Sequence, residues 1–517
     1  MEKIFKILVL SVFVLACSGE SEAKRKAKST DILKAEDYKH FVDYFNRMED
    51  ENIVQAIPNA QSWEWMKSNI PLFDCPQDNF VEMYYYRWWT YRKHIKETPA
   101  GYGITEFLVQ RSYSDKYNLI ACAIGHHLYE GRWLKDKKYI QDYLKVWYRG
   151  NEGKSLAKVH KFSSWTPDAL YKSFLINSDT AYIRDMYSDM EDCYVYWETN
   201  NRLDNGLFWQ EDVKDGMEES VSGGRKVKNA RPTINSYMYG NAIAMAEMAL
   251  VLNKKDKAEY YKKKAEEIKY LVQNRLWNPY HDFFETRWAN DTISNAREAI
   301  GFIPWYFNLP DKGYEKAWLQ IADEKGFMSP YGLTTAERRH PTFRSRGVGK
   351  CEWDGAVWPF ATSQALTAMA NLLNNYNQSY VDDSLYFRHM ELYVESQYHR
   401  GRPYIGEYHD EITGYWLKGD QERSRYYNHS TFNDMIITGL VGLRPDKGNT
   451  LIINPLIPDG KWDWFCLDKV NYKGKIISVV WDKDGTRYSK GKGLMVFQDG
   501  ALIATSADLS RIRVSLK

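Results

Sequence analysis

Two short segments concentrate acids among aromatic side chains and glycines. The first, Gly206-Leu207-Phe208-Trp209-Gln210-Glu211-Asp212-Val213-Lys214-Asp215-Gly216-Met217-Glu218-Glu219-Ser220, holds five acids upstream of an apolar helical stretch. The second is Gly406-Glu407-Tyr408-His409-Asp410-Glu411-Ile412-Thr413-Gly414-Tyr415-Trp416. An acid beside Tyr, His and Trp suits a base tuned by its neighbours, which points to Glu407. A third segment, Glu352-Trp353-Asp354-Gly355-Ala356-Val357-Trp358-Pro359, offers two indoles to stack on a sugar and Asp354 to hold hydroxyls. Pro359 fits a first helical turn, where its missing N–H costs nothing. Paired carboxyls on separate loops are what glycoside hydrolysis needs. One protonates the leaving oxygen and the other activates water, about 6.5–9.5 Å apart in the inverting geometry.

Loops can bring distant acids together only if regular elements hold them at one end of a scaffold. Between about residues 37 and 440 the periodicity is helical and alternates in character. An apolar stretch around 119–123 precedes an amphipathic one at 138–148. An Ala- and Met-rich run at 236–252 precedes a charged one at 256–276, and 357–373 with 382–398 repeats the pattern. Helices covered on all sides read as apolar all round, whereas outer helices read as amphipathic. This predicts a mainly α fold, an (α/α)6 toroid of about six helical hairpins, over residues 37–445. Loops at 204–224, 287–297, 331–354 and 401–433 should emerge at one end. After Pro445 short β-type runs (451–455, 475–481, 494–497, 512–516) and the turns at Asp484-Gly485 and Asp499-Gly500 predict a small antiparallel, sandwich-like domain over 446–517.

Composition narrows the partner. Nineteen Trp and 39 Tyr favour carbohydrate. A net charge of +2, with no basic block, argues against nucleic acid. Lys3, Lys6 and the apolar run 7–16 end at Leu15-Ala16-Cys17. The run is too short to span a hydrocarbon core of about 30 Å. It predicts a lipoprotein signal (1–17), acylation of Cys17, a polar tether at 18–36, and an exported chain whose only membrane contact is the lipid. It would lie at the periplasmic face or the cell surface. The other five cysteines show no CxxC spacing, so neither a disulfide framework nor a zinc site is expected.

The three segments, in this order, resemble the clan of inverting α-glycosidases that includes trehalases, glycoside hydrolase family 63 and mannosylglycerate hydrolases, all (α/α)6 toroids. The match runs roughly from Tyr84 to Pro445. Lys214-Asp215-Gly216-Met217-Glu218-Glu219-Ser220 stands where the family has its acid loop, E-S-G-x-D-N-S. The resemblance puts the general acid on Glu218, here Glu for the usual Asp, with Asp215 in reserve. Glu407-Tyr408-His409-Asp410-Glu411-Ile412-Thr413-Gly414 is similar to the base loop E-x-Y-D-P-x-T-G, which puts the base on Glu407. Trp353 to Pro359 resembles W-x-G-P-x-W-P, with Ala356 for Pro. Tyr84-Tyr85-Tyr86-Arg87-Trp88-Trp89 resembles a sugar-binding wall.

The reading implied is an exo-acting, inverting hydrolase of an α-glycoside. Met217 and Trp209 would form an apolar wall beside the acid. Arg231, Arg297, Trp353, Asp354, Trp358, Tyr408 and His429 would bind substrate beside Trp88 and Trp89. No cofactor is expected, and the chemistry needs no metal, though a structural calcium stays open. Asn428 to Asp434 with Gly442-Leu443-Arg444-Pro445 also resembles α-L-rhamnosidases. A polysaccharide lyase using Tyr408 or His409 and a non-catalytic glycan-binding lipoprotein are the other readings.

Overall fold

The computed structural model describes residues 31–517. The expected signal and Cys17 lie outside them. Two helices, α1 (Lys39–Arg47) and α2 (Ser62–Asn69), lead into twelve that alternate between two shells. They are α3 (Asp78–Lys93), α4 (Ile124–Gly131), α5 (Lys138–Arg149), α6 (Thr166–Asn177), α7 (Thr180–Asn201), α8 (Pro232–Val251), α9 (Lys255–Leu271), α10 (Ile303–Tyr306), α11 (Leu319–Ala322), α12 (Pro359–Asn375), α13 (Asp383–Ser396) and α14 (Asn433–Met435). The last continues as a π-helical turn, Ile436–Leu440. The even-numbered six close a ring: α4 packs on α6, α6 on α8, α8 on α10, α10 on α12, α12 on α14, and α14 on α4. This is the expected toroid.

The two shells differ in chemistry. All eight residues of α4 are buried. Outer helix α9 buries only Ala258, Tyr261, Ala265 and Ile268, one stripe at helical spacing. Inner helices α6, α8, α10 and α12 carry proline in the first turn, where no N–H is needed. Outer helices α7 and α13 start on Asp179 and Asp382, whose side chains accept the amides of Tyr182 and Leu385. Four of the six helix starts on the inner ring are thus set by a fixed φ, and these two outer ones by a capping carboxylate. One expected helix moves. The apolar run at 119–123 is an extended stretch and a 3-10 turn, and α4 begins after it. Tyr117 and Asn118, at φ 69° and 66°, break the helix ahead of it.

The expected C-terminal strands form at Thr450–Ile453, Lys475–Asp482, Gly493–Gln498 and Ile512–Ser515. The strand Trp464–Tyr472 has no clean alternation, because a bulge at Asp468 and Lys469 shifts its register. Leu72–Asp74, ahead of α3, pairs with it as the edge of a five-stranded antiparallel sheet. Within the segment expected as a polar tether (18–36), the chain is anchored at residue 32. Asp468 Oδ2 accepts the Ile32 and Leu33 amides at 2.8 and 2.9 Å, while Oδ1 accepts the Ser478 hydroxyl at 2.6 Å. Asp468→Ala strips the acceptor from four donors, the Lys469 amide included. Urea unfolding should show a loss of about 3 kcal/mol; an unmoved midpoint would refute this anchoring role.

Candidate active site

The loops that precede the inner helices meet at one end of the ring, and three of them deliver a carboxyl. Glu106 comes from the loop before α4, Glu218 from the loop before α8, and Glu407 from the loop before α14. The three lie within electrostatic reach of one another. Burial lifts the Glu218 carboxyl to about 7, and the charges of Glu407 and Asp212 push the same way. Burial takes Glu106 to about 8, against hydrogen bonds from Tyr427 and Cys122; the charges of Glu407 and Glu218 again raise it. The Tyr427 hydroxyl donates to Glu106 Oε1 at 2.5 Å, and the Cys122 thiol to Oε2 at 3.3 Å. Low dielectric and crowded like charges both favour the protonated forms.

Glu407 is buried at 5% exposure and stands between two cations. Lys418 Nζ lies 3.3 Å and an Arg423 nitrogen 3.5 Å from its Oε2. Behind it runs a stack of three rings: Trp353 on Trp358 at 4.4 Å, and Trp358 on Tyr408 at 4.5 Å. Lys418 Nζ covers the Tyr408 ring at 4.8 Å. Val357 and His409 exchange backbone hydrogen bonds at 3.0 Å, which ties this loop to the start of α12. Gly406 must be glycine, since a Cβ would sit 2.7 Å from the rings of both Trp416 and Tyr404.

The loop bearing Glu218 is held by a buried ion pair. Asp215 takes Arg231 Nε at 2.7 Å and the Ser163 hydroxyl at 2.6 Å, and also accepts from the Thr233 hydroxyl. Both Asp215 and Arg231 have side chains at 0% exposure. Just after Glu218, Glu219 adopts a left-handed backbone, φ 67°, and pairs with Arg225. Backbone strain of this kind persists where surrounding contacts over-determine it. His429 is enclosed by Tyr427, Trp358 and Phe360, and neither ring nitrogen meets a protein partner. Burial pushes its pKa well down. A neutral imidazole with one donor and one acceptor suits a sugar hydroxyl.

A family model of the mannosylglycerate hydrolase MGH1-like glycoside hydrolase domain matches residues 116–430, well over half of the chain. The chain belongs to this family. Its model is that of a glycoside hydrolase domain, and a second model, the C-terminal domain of glycosyl hydrolase family 65, matches residues 443–502. A solved structure described as a sialidase is 64% identical, with a TM-score of 0.93; the match covers 94% of this chain but 45% of that one. The family 63 mannosylglycerate hydrolase of Thermus thermophilus, solved with glucose, is 12% identical over 69% of this chain and 99% of that one, at TM-score 0.53. A family 78 rhamnosidase of Bacillus sp. GL1 is 11% identical over 80% and 40%, at 0.55. These last two share the fold. Among curated proteins, one of Borreliella burgdorferi described as uncharacterized is 24% identical over 127 residues, about a quarter of each chain.

Several residues expected to touch substrate serve the scaffold instead. Trp88 and Trp89 are 0% exposed in the core and form no wall, because α1 and α2 pack over α3. Trp358 has a ring on each face, and Tyr408 has a ring on one face and Lys418 on the other, so neither offers a sugar a platform. Asp354 Oδ2 accepts the Arg346 and Gly347 amides and shapes its own loop. Arg297 binds Glu337 at 2.8 Å and the His281 carbonyl, and Arg231 is spent on Asp215. Trp209 is half-buried under Lys228. Trp353 keeps an unpartnered ring nitrogen and His429 two. Glu106, Cys122, Tyr427, Lys418 and Arg423 escaped the sequence reading. Glu106 stands alone in Thr105-Glu106-Phe107 with no acidic company, whereas Lys418 and Arg423 follow the base loop closely enough to have been noticed. Among the described residues, no group of three or more His, Cys, Asp or Glu is placed to hold a metal.

The protonated carboxyls tie stability to pH. Glu106 and Glu218 bind their protons more tightly folded than at the ordinary value of 4.5. Their contribution is complete below that value and is lost as pH climbs through about 7 and then about 8. Glu106→Gln keeps an acceptor for Tyr427 and has no proton to lose. Urea midpoints should therefore fall less between pH ~5 and ~8.5 than in the parent, by about 2 kcal/mol. A decline as steep as the parent's would contradict the protonated state of Glu106.

Proposed function

We propose that this glycosidase releases a terminal sugar from an α-linked oligosaccharide by single displacement with inversion, with Glu218 as general acid and Glu407 as general base. One observation carries the reading. Two neighbouring carboxyls are driven apart in character: Glu218 holds its proton to about 7, and Glu407 lies against Lys418 and Arg423. Such a split is how one site supplies an acid and a base at neutral pH. The acid donates to the leaving oxygen, and the base takes a proton from the water that attacks the opposite face of the sugar. His429 offers hydroxyl recognition beside them. Asp215 does not compete for the acid role, because both of its oxygens are already hydrogen-bonded.

A lyase would need Tyr408 or His409 free to take a proton. The Tyr408 hydroxyl is given to the Lys350 carbonyl, and His409 is buried against Trp416. The name sialidase belongs to a protein more than twice as long as the match, so sialosides enter the screen beside aryl α-mannosides, α-glucosides and α-L-rhamnosides. Export and a lipid on Cys17 rest on residues 1–17 of the sequence.

Glu218→Gln and Glu407→Gln should each keep the fold, checked by circular dichroism, and cut kcat by about 10²–10⁴-fold. Asp215→Asn should lower the melting temperature as well, since it disturbs a buried ion pair. NMR of the first-formed anomer should show inversion. Retention, or near-parent turnover in either glutamine variant, would end the assignment.

A further inference from the structure

The carboxyl cluster lies at the N-terminal ends of the inner helices. At their other end a cavity of about 230 Å³ opens between the floor of the ring and the tail segments. Its wall holds four cations, Arg132, Lys172, Arg444 and Arg511, against two carboxylates, Asp434 and Asp446. Both carboxylates have a cation partner, although Asp434 uses only Oδ1 and its buried Oδ2 has no hydrogen-bond partner among the described residues. Asp434 takes Arg132 at 2.7 Å and the Trp133 indole at 2.6 Å, and Asp446 takes Arg513 at 2.6 Å. Lys172, Arg444 and Arg511 are left with no carboxylate at ion-pair distance among the described residues.

Helix C-termini account for part of this gathering. Arg444 donates to the Thr438 carbonyl and to Asn371 Oδ1, and Arg511 donates to the Asn374 carbonyl. The partial negative charge of a helix end favours such cations, but it is only about half an elementary charge and fades within a turn. The Lys172 side chain, in the middle of α6, makes no hydrogen bond among the described residues. Burial lowers its pKa, as do the charges of Arg132, Arg444 and Lys447, against the pull of Asp168. Arg444 is pushed down to about 10 by burial, with Arg132 and Arg511 adding to the effect. Cations that repel one another in a partly dry pocket, with two of their forks free of carboxylate, form a receptor for a compact multivalent anion.

We propose that this cavity binds a phosphate-class oxyanion, either free phosphate or the phosphate group of a sugar phosphate. Its position gives it a structural consequence. Arg444 and Arg511 come from the tail and Lys172 from the ring, so a bound anion bridges the two. The proposal stands apart from the assignment of Glu218 and Glu407, since none of its residues touches that end of the ring.

The test is titration calorimetry of the purified chain with inorganic phosphate at constant ionic strength, repeated with glucose 6-phosphate. Saturable phosphate binding is expected, weakened about tenfold or more in Lys172→Met and in Arg511→Met. Glucose 6-phosphate binding lost in the same variants assigns the site to a sugar phosphate; phosphate binding alone assigns it to the free ion. Both variants should keep parental turnover. Lys172 makes no bond that its loss would break and Arg511 is exposed, so the fold should survive, which circular dichroism checks. No saturable binding, or binding of equal strength in both variants, overturns the proposal.

Discussion

Like charges brought together out of water are the constraint around which this protein is arranged. Glu106, Glu218 and Glu407 come from three loops, and they cannot all be ionised in so dry a place without cost. The chain answers in two ways. Two of the carboxyls retain protons, and the third is set against Lys418 and Arg423. Each answer needs fixed neighbours, because a carboxyl free to swing into water would recover its ordinary pKa. The Asp215–Arg231 pair, the Trp353–Trp358–Tyr408 stack and the Tyr427 hydroxyl supply that fixity. A loop that looks like a binding surface in sequence is thus largely a mount.

Immobility of the loops derives in turn from the ring. Inner helices that close on themselves leave no free end from which the site could open. Proline starts on α6, α8, α10 and α12 set the angle at which the loops before them enter the wall. Outer helix α9, with its single apolar stripe, can tolerate change on its wet side, whereas inner helix α4, buried at every residue, cannot.

The alternation of apolar and amphipathic helices was legible because burial leaves its mark on every turn. So were the loops that carry Glu218 and Glu407, whose spacing of acids, glycines and aromatics is unusual. The roles of individual aromatics were not legible. Trp88, Trp89 and Trp358 have the composition of a sugar platform, and only three-dimensional packing reveals that their faces are covered. Glu106 was missed because its significance lies in Tyr427, more than three hundred positions away. The strand Leu72–Asp74 was missed for a similar reason: three residues carry no period, and its partner lies in the tail.

That strand has a further consequence. Leu72 pairs with Asp468, 396 positions later (468 minus 72), and Ile32 and Leu33 dock on the same residue. Loop-closure entropy for so long a span must be met before the pairing returns anything. The ring has the same property, since α14 completes it against α4. Contacts this distant along the chain slow folding and make it cooperative. A nascent chain that still lacks Asp468 and everything beyond it has neither a finished sheet nor an anchor for its beginning. The pairing of Leu72 with Asp468 and the docking of Ile32 and Leu33 can therefore form only after Asp468 has been synthesised.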